Sequence, residues 1–265
     1  MSSIQFDKYQ GTGNDFVMVD NRTLLFDKNN TSLVASICHR NFGVGADGLI
    51  LIEHCDDADY RMVYYNSDGH ESSMCGNGGR CSYAFAKALG IVGNTATFLA
   101  IDGLHHVKQV GDSVALQMVD AELPMPSHDG HFVDTGSPHH VTLIDDLDAL
   151  NLVPMGRTLR NRYGEAGSNV NFVELTGDNN AKVRTYERGV ENETLSCGTG
   201  ATAVALYLSR DLKPGESNQV GIKQPGGTLQ ISVTRSNSST AGDPAFTDVW
   251  LQGPAQFVFS GTFPC

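Results

Sequence analysis

Short apolar runs, separated by glycine, asparagine and aspartate, recur along the whole chain. This pattern predicts many short β-strands. In the first half the predicted strands cover residues 16–19, 49–51, 60–65, 97–101, 106–110 and 114–118. In the second half they cover residues 141–144, 170–174, 182–186, 219–222, 228–233, 248–251 and 255–259.

Helical patterns are few. They predict helices over residues 31–40, 76–89 and 198–209, and Gly90 is a suitable residue to end the second of these. One main helix among many strands in each half predicts an α+β fold, in which a curved, mostly antiparallel sheet wraps around a central helix.

The two halves resemble each other at a nearly constant spacing. Cys75 and Cys197 are 122 residues apart, and Glu71 matches Glu193 at the same offset. Two further blocks, beginning at residues 11 and 45, have counterparts in the same order in the second half. We therefore predict two homologous lobes, residues 1–122 and 123–253, with a last strand at about 254–265 that returns to the first lobe.

Composition and charge exclude several functional classes. The net charge of -12 argues against a nucleic-acid footprint or attraction to an anionic membrane. The longest apolar runs have the length of strands, and the N-terminus lacks the pattern of a signal peptide. We therefore predict a cytoplasmic protein. Four cysteines are predicted to be ordinary reduced thiols, namely Cys38, Cys55, Cys81 and Cys265.

Cys75 and Cys197 stand in matching contexts, because each precedes Gly-x-Gly and a predicted helix. A free thiol has a pKa near 8.5, and a helix N-terminus lowers it toward about 7, which populates the thiolate. The first backbone N–H groups of the same helix can hold an anion. Two such ends could take a proton from one face of a carbon and return it to the other.

Other interpretations of the two cysteines stay open from the residues alone. They could be structural, or they could belong to a thiol redox or ligand-binding protein. A redox dithiol, however, usually has neighbouring cysteines. A phosphate-binding loop is a further alternative, although its G-x-x-x-x-G-K-[ST] pattern is absent. The chain contains no C-x-x-C pair, the spacing typical of a zinc site, so no metal is predicted.

At these motifs the sequence resembles the diaminopimelate epimerases, amino-acid epimerases that work without a cofactor. The related proline racemases carry a histidine where this chain has Asn77. The motifs that carry the resemblance are Gly13-Asn-Asp-Phe16, Gly45-Ala-Asp-Gly48, Tyr65-Asn-Ser-Asp-Gly69, Met74-Cys-Gly-Asn-Gly-Gly-Arg-Cys81, Tyr186-Glu-Arg-Gly189 and Ser196-Cys-Gly-Thr-Gly-Ala201.

The resemblance implies an active site in a cleft between the lobes, where Cys197 takes the α-proton and Cys75 gives one in the L,L-to-meso direction. It implies that His139 and Glu187 tune the thiols and orient the reacting amino group. It further implies substrate contacts through the side chains of Asn14, Asn66, Asn169, Glu187 and Arg188 and the backbones of Gly76, Asn77, Gly198 and Thr199.

These assignments have a physical rationale and structural alternatives. The distal carboxylate of diaminopimelate needs a partner, and the guanidinium of Arg188 offers two parallel donors. Each residue could also serve the fold alone. The alternatives are turn residues for Asn14 and Asn66, a strand-edge amide for Asn169, a solvated pair for Glu187 and Arg188, and a core histidine for His139.

The chain departs from the family pattern at two positions. Ser137 stands where the family often has asparagine, and Gly48 where some members have glutamine. Neither change removes a residue that is assigned to the proton transfer, but both affect how the distal end of the substrate is held. A racemase of another amino acid therefore stays an alternative. The resemblance also implies a homodimer that needs no metal or organic cofactor and acts in lysine and peptidoglycan-precursor synthesis.

Overall fold

The computed structural model describes residues 3–238, 240 and 242–264. It divides into two compact units, Met1–Leu116 with Gly253–Cys265, and Gln117–Gln252. We call them the first and the second lobe and describe each separately. Cys265, which closes the predicted last strand, lies outside the described residues.

The first lobe consists of eight strands and two helices among its described residues. They are β1 (Ser3–Gly11), β2 (Asn14–Asp20), α1 (Thr31–Cys38), β3 (Gly48–Glu53), β4 (Tyr60–Asn66), α2 (Gly76–Ala88), β5 (Thr95–Ala100), β6 (Gly103–Val110), β7 (Ser113–Gln117) and β17 (Gln256–Pro264).

The strands of the first lobe pair in the order β17, β1, β2, β3, β4, β5, β6, β7. Two neighbouring pairs are parallel, β2 with β3 and β4 with β5, and the others are antiparallel. Each parallel pair is connected through a helix, as the crossover between parallel strands requires. The helix between β2 and β3 is α1, and the helix between β4 and β5 is α2.

Helix α2 is the core of the first lobe, because ten of its thirteen residues are buried. It ends as the sequence predicts. Gly90 adopts φ +73°, its N–H bonds to Lys87 O at 3.0 Å, and Ile91 N–H bonds to Ala86 O at 3.0 Å. These two bonds form a Schellman motif, which satisfies carbonyl groups that the helix end would leave without a partner.

The second lobe consists of nine strands and two helices among its described residues. They are β8 (Met125–Ser127), β9 (Gly130–Asp134), β10 (Pro138–Leu143), α3 (Leu152–Asn161), β11 (Asn169–Gly177), β12 (Asn180–Glu187), β13 (Asn192–Thr194), α4 (Gly198–Leu208), β14 (Ser217–Gln224), β15 (Gly227–Arg235) and β16 (Phe246–Gly253).

The second lobe repeats the pairing pattern of the first. Strand β10 is parallel to β11 and is connected to it through α3, and β12 is parallel to β14 and is connected to it through α4. The remaining neighbours are antiparallel. Helix α4 is the buried central helix, equivalent to α2. The predicted α+β class with two similar lobes, each with a mostly antiparallel sheet around a central helix, is confirmed.

Several elements extend beyond the sequence-based prediction. Strand β1, the β8–β9 hairpin, the short strand β13 and helix α3 were not predicted. Strand β8 occupies a Pro-Met-Pro segment, and its only pairing among the described residues is with β9. Proline is tolerated there because an edge strand does not need every N–H group for pairing.

No helix within the described part of the chain has both the length and the apolar character needed to span a membrane.

Candidate active site

Cys75 is the N-cap residue of α2, in an extended conformation with φ -103° and ψ 127°. Its main-chain oxygen accepts the N–H of Gly79 at 2.7 Å, which closes the first turn of the helix. The thiol therefore lies beside the first N–H groups of a helix that begins Gly76-Asn77. Such groups have no acceptor inside the helix and carry a partial positive charge.

Asn14 links the thiol to a carboxylate. Its Oδ1 accepts hydrogen bonds from Cys75 Sγ at 3.4 Å and from Asn77 Nδ2 at 3.2 Å. Its Nδ2 donates to Asp47 Oδ2 at 2.7 Å. The carboxylate thus fixes the orientation of the amide, and the amide oxygen faces the thiol. Three predicted site residues, Asn14, Cys75 and Asn77, are brought together in this way.

Asp47 belongs to a charged cluster behind Asn14. Arg40 bonds to both Asp15 and Asp47, at 2.9 Å and 2.7 Å, and Lys8 lies 2.7 Å from Asp15. Burial raises the pKa of Asp15, but hydrogen bonds from Arg40 and Lys8 outweigh it and lower that pKa to about 2. Asp15 therefore stays ionised at neutral pH, and its bonds to Lys8 and Arg40 connect β1, β2 and the 40–47 segment.

Asn66 is the last residue of β4 and pairs with Gly48 of β3, the residue that follows Asp47. It is exposed, and its main-chain oxygen accepts the N–H of Gly69 at 3.0 Å in a tight turn. Gly69 adopts φ +90° there. The position fits both a turn residue and a side chain open to a ligand.

Cys197 is the N-cap residue of α4, again in an extended conformation, with φ -121° and ψ 110°. Its Sγ lies 3.4 Å from Thr199 Oγ1. Its main-chain oxygen accepts the N–H of Ala201 at 2.9 Å and the side-chain amide of Gln224 at 3.1 Å. Gln224 in turn accepts from Ser196 Oγ at 2.7 Å. The two thiols therefore occupy equivalent places at the two central helices.

His139 is fully buried on β10, and Asn171 of β11 fixes which ring nitrogen carries its proton. Asn171 Nδ2 donates to His140 O at 3.1 Å and lies 3.1 Å from His139 Nδ1. Asn171 Oδ1 accepts from Thr185 Oγ1 at 3.0 Å. Because the carbonyl oxygen of His140 can only accept, the amide nitrogen of Asn171 faces it, and His139 Nδ1 is an acceptor. The proton of His139 therefore lies on Nε2.

The imidazole of His139 is neutral. Burial, and to a smaller extent the positive charge of Arg188, lower its pKa to about 3. Its Nε2 is buried and has no hydrogen-bond partner among the described residues. A buried donor without a partner costs free energy. This N–H is therefore available to an acceptor that arrives with a ligand or forms in a reaction, such as a carboxylate or a thiolate.

Asn169 holds the main chain of Arg188 in place. Its Oδ1 accepts the main-chain N–H of Arg188 at 2.9 Å, and its Nδ2 donates to Ser137 Oγ and Pro138 O at 3.0 and 3.1 Å. The guanidinium of Arg188 bonds to Ala166 O at 2.9 Å. Both ends of the Asn169 amide thus bond to protein groups, as its structural alternative requires.

Glu187 is the last residue of β12. One of its carboxylate oxygens, Oε2, accepts a hydrogen bond from Thr194 Oγ1 at 2.9 Å. This bond ties the carboxylate to β13, the strand that leads toward Cys197. Glu187 and Arg188 are neighbours in sequence, and their side chains bond to different groups, the carboxylate to Thr194 Oγ1 and the guanidinium to Ala166 O.

Sequence reasoning missed three side chains that organise these sites, namely Asp47, Asn171 and Gln224. Asn171 carried a detectable signal. It is two residues from Asn169, so both point to the same face of β11, in a strand that is otherwise apolar from Val170 to Val173. Among the described residues, no cluster of three or more histidine, cysteine, aspartate or glutamate side chains could hold a metal ion.

The buried histidines give a prediction for stability against pH. His140, beside His139, bonds through Nδ1 to Tyr163 OH at 2.8 Å, and burial lowers its pKa to about 4. An unfolded histidine has a pKa near 6.5, so the unfolded state binds more protons below that pH. The free energy of unfolding should therefore fall as pH drops from 6.5 to 4, by on the order of 3 kcal/mol for His139.

The measurement is urea unfolding at several pH values in this window, most of which lies above the usual pKa of carboxylates. His140→Gln removes one of the two titrations and should reduce the slope. An unfolding free energy that stays constant from pH 6.5 to 4 would contradict the buried, neutral state of these histidines.

Comparison with known proteins identifies relatives over nearly the whole chain. The family model described as diaminopimelate epimerase matches residues 6–123 and 131–247. The diaminopimelate epimerase of Flavobacterium psychrophilum is 51% identical over 259 residues, which cover 96% of this chain and 98% of that protein. The diaminopimelate epimerase of Chlorobaculum tepidum is 40% identical over 266 residues, with 95% and 98% covered.

Solved structures with this fold include more distant proteins. A phenazine biosynthesis protein of the PhzF family from Bacillus anthracis has a TM-score of 0.78 at 14% identity, with 100% of both chains covered. A hydroxyproline epimerase from Agrobacterium vitis has a TM-score of 0.70 at 17% identity, with 98% of this chain and 92% of that chain covered. At these identities the likeness concerns the fold alone.

Proposed function

Since the chain belongs to the diaminopimelate epimerase family, we propose that it interconverts L,L- and meso-2,6-diaminopimelate by moving an α-proton with Cys75 and Cys197. The resemblance inferred from the motifs is confirmed, and the chain is an isomerase of the epimerase class. The observation that carries the mechanism is the equivalent placement of the two thiols, each as the N-cap residue of a central helix.

The proposed reaction needs one thiolate and one thiol. In the L,L-to-meso direction the thiolate of Cys197 takes the proton from Cα, and the thiol of Cys75 gives its proton to the opposite face. Cys197 ends as a thiol and Cys75 as a thiolate, so proton count and charge balance and no electron is transferred. The reverse direction exchanges the two roles. The proposal requires both sulfurs to reach the same carbon from opposite sides.

The backbones at the two helix N-termini provide the proposed stabilisation of charge. When the proton leaves Cα, negative charge moves onto the carboxylate of the reacting end. The N–H groups of Gly76, Asn77, Gly198 and Thr199 are oriented for an anion by the helix itself, so they need no reorganisation during the reaction. This stabilisation is greatest when the enediolate forms, which is the condition for catalysis.

The proposed substrate contacts follow the charges of diaminopimelate. Arg188 would hold the carboxylate of the non-reacting end, and Glu187 would accept from an ammonium group. Asn14 and Asn66 are the amides proposed for the first lobe, and Asn169 is the one for the second. Because Asn169 already holds the main-chain N–H of Arg188, we propose that it acts partly by placing Arg188.

We also propose that the enzyme works as a cytoplasmic homodimer that needs neither metal nor organic cofactor. Two reduced thiols are essential to the mechanism, and the cytoplasm keeps thiols reduced. The meso product would serve lysine and peptidoglycan-precursor synthesis. Sedimentation velocity measures the oligomeric state, and activity after treatment with a chelator tests the independence from metal.

The proposed substrate is tested by incubating the reduced protein with L,L-diaminopimelate and separating the stereoisomers by chiral chromatography. A matched panel contains meso-diaminopimelate, proline, 4-hydroxyproline and histidine. The proposal predicts conversion of the two diaminopimelate isomers and none of the others. Conversion of another amino acid instead would assign a different racemase, and no conversion of any would favour a thiol redox or ligand-binding protein.

A variant pair at His139 tests whether its Nε2–H group donates a hydrogen bond. His139→Gln keeps an N–H close to the position of Nε2, whereas His139→Asn places its amide near Nδ1. One lost hydrogen bond corresponds to about a tenfold change in rate. We expect His139→Asn to have a kcat about tenfold below that of His139→Gln. Equal kcat values in two folded variants would contradict the donor role.

A further inference from the structure

Arg80 is a buried charge beside the N-terminus of α2, and its side chain has 0% exposure. Its Nη1 donates to Gly76 O at 3.2 Å, its Nη2 to Asn77 Oδ1 at 2.9 Å, and its Nε to Pro254 O at 3.3 Å. All three acceptors are neutral. Over residues 3–238, 240 and 242–264, no carboxylate lies within ion-pair distance of it. Each nitrogen of the guanidinium thus has a hydrogen-bond partner, but its charge has no counter-ion among these groups.

The fold is built to hold this group. A Cβ atom at Gly11 would lie 3.2 Å from Arg80 Nη2 and 3.2 Å from Pro254 O, so glycine leaves the space that the guanidinium fills. Burial lowers the pKa of Arg80, but an arginine remains charged in proteins. An isolated buried charge is strongly unfavourable. An anion that forms nearby during function would compensate this cost.

Two thiols lie close enough to interact with the charge of Arg80, those of Cys75 and Cys81. Cys81 is fully buried, and burial raises its pKa to about 12, so it stays a thiol. Cys75 is only partly buried. It is therefore the one of the two that can supply the missing anion at neutral pH.

The second lobe lacks this charge. Thr202 stands 122 residues after Arg80, at the equivalent place in α4. Its Oγ1 donates to Gly198 O at 3.0 Å, just as Arg80 donates to Gly76 O. The two side chains thus satisfy equivalent carbonyl groups, but only one brings a positive charge. The two helix N-termini are electrostatically unequal.

We propose that Arg80 is the buried counter-charge of Cys75 and stabilises its thiolate, whereas the corresponding position beside Cys197 carries no charge. Arg80 acts through Cys75 and is therefore a positioning residue. The inference rests on the proposed function, in which Cys75 alternates between thiol and thiolate. In the free enzyme the charge of Arg80 gives Cys75 a lower pKa than Cys197. Cys75 is then a thiolate, which can accept a proton from the meso isomer.

Other groups around α2 modify this effect but do not replace it. Asn14 Oδ1 accepts from Cys75 Sγ and so favours the thiol, but a neutral hydrogen bond is weaker than a full charge in a buried site. Asp47 is connected to the thiol through Asn14, which bonds to both. The remaining ionisable side chains of the packed strands are Asp7, Lys8 and Tyr9 of β1, Asp15 and Asp20 of β2, Glu53 of β3, and Tyr60, Arg61, Tyr64 and Tyr65 of β4.

Several of these side chains are occupied with other partners. Lys8 pairs with Asp15, and Glu53 pairs with Lys28 at 3.0 Å. The hydroxyl of Tyr60 lies 3.0 Å from Ser82 Oγ. Strand β17, which also packs against α2, contains no charged residue. Arg80 is thus the charged side chain that bonds to the first two residues of α2, Gly76 and Asn77.

The test measures the ionisation of each cysteine in the reduced enzyme without substrate. Iodoacetamide modifies thiolates, and mass spectrometry of peptides gives the rate for each cysteine from pH 5 to 10. The rate of alkylation rises with pH as each thiol ionises, and its midpoint gives the pKa of that cysteine. We expect the midpoint of Cys75 to lie at least about one pH unit below that of Cys197. In Arg80→Met the midpoint of Cys75 should rise by about one unit or more, and that of Cys197 should not move.

Matched variants separate charge from structure. Arg80→Lys keeps the charge and should keep most of the lowered midpoint. Thr202→Val removes the equivalent bond to a helix carbonyl without changing charge, and it should shift neither midpoint by a comparable amount. With meso-diaminopimelate as the substrate, for which Cys75 is the proposed base, the acidic limb of the pH profile of kcat/KM should move upward in Arg80→Met only.

Equal midpoints for Cys75 and Cys197 in the wild type, or an unchanged Cys75 midpoint in folded Arg80→Met, would overturn the inference. If Arg80→Met does not fold, the wild-type difference and Arg80→Lys decide the question. The alkylation experiment uses no substrate, so its result does not depend on the proposed function. Failure of the proposed function would appear separately, as no turnover of diaminopimelate.

Discussion

Replacing either Cys75 or Cys197 by alanine should lower kcat for epimerisation by about 10²- to 10⁴-fold, the range for loss of a general acid or base. Each thiol is the N-cap of a buried central helix and uses its main-chain oxygen, not its side chain, to close the first turn. Alanine keeps that main-chain bond, so the helices should form normally. The loss should therefore appear in activity and not in stability.

The matched control is Cys55→Ala, because Cys55 is a partly buried thiol outside every helix. It should retain activity close to that of the wild type. The double variant Cys75→Ala/Cys197→Ala should be little worse than either single one, since the two thiols act as a unit. A single cysteine variant with normal kcat would show that the proton transfer does not need that thiol.

Gly200→Ala should lower kcat/KM by about 10²-fold, although alanine is the better helix former. A Cβ atom at Gly200 would lie 2.4 Å from Asn171 Oδ1 and 3.3 Å from Cys197 Sγ. Asn171 fixes the tautomer of His139, so the added methyl group would displace the thiol, the amide or both. A displacement of about 1 Å at a reacting group can cost about 100-fold in rate.

Gly93→Ala is the control, because a Cβ atom there meets nothing within 4 Å. It should leave kcat/KM unchanged. Steady-state kinetics of the two variants, with thermal unfolding to verify folding, makes the comparison. Unchanged kcat/KM in folded Gly200→Ala would show that the contact of Gly200 with Asn171 does not hold the thiol in its working position.

The pattern of the sequence predicted the elements that carry the site, because their signals are local. Glycine after a cysteine and before an Ala-rich stretch marks the beginning of α2, and Gly90 marks its end. The spacing of 122 residues between Cys75 and Cys197 indicated two related lobes. Each of these features depends on neighbouring residues or on repetition, both of which are visible in one sequence.

Elements with contradictory local signals were not predicted. Helix α3 contains Pro154 and Gly156. Proline is tolerated because it stands in the first turn, and glycine is needed because a Cβ atom would lie 2.4 Å from Tyr186 Cβ. Strand β1 contains Lys8, a buried charged residue that pairs with Asp15 and donates to Gly45 O. In both elements a distant residue decides the local structure.

The same reason separates the predicted from the unpredicted parts of the site. The thiols and the glycine-rich turns follow from the motifs. The orientation of Asn14 depends on Asp47, and the tautomer of His139 depends on Asn171. Arg80 was visible in the motif, but only the structure reveals its complete burial and the neutral character of its partners. Electrostatic roles of this kind require the three-dimensional surroundings of a residue.

The measurement that tests the central claim most directly is epimerisation of L,L-diaminopimelate in D₂O, stopped at low conversion. If two different thiols serve the two faces of Cα, the meso product carries deuterium from solvent at the inverted centre, and the recovered L,L substrate keeps its proton. If one group served both faces, deuterium would appear in the recovered substrate as readily as in the product. That second result would contradict the account.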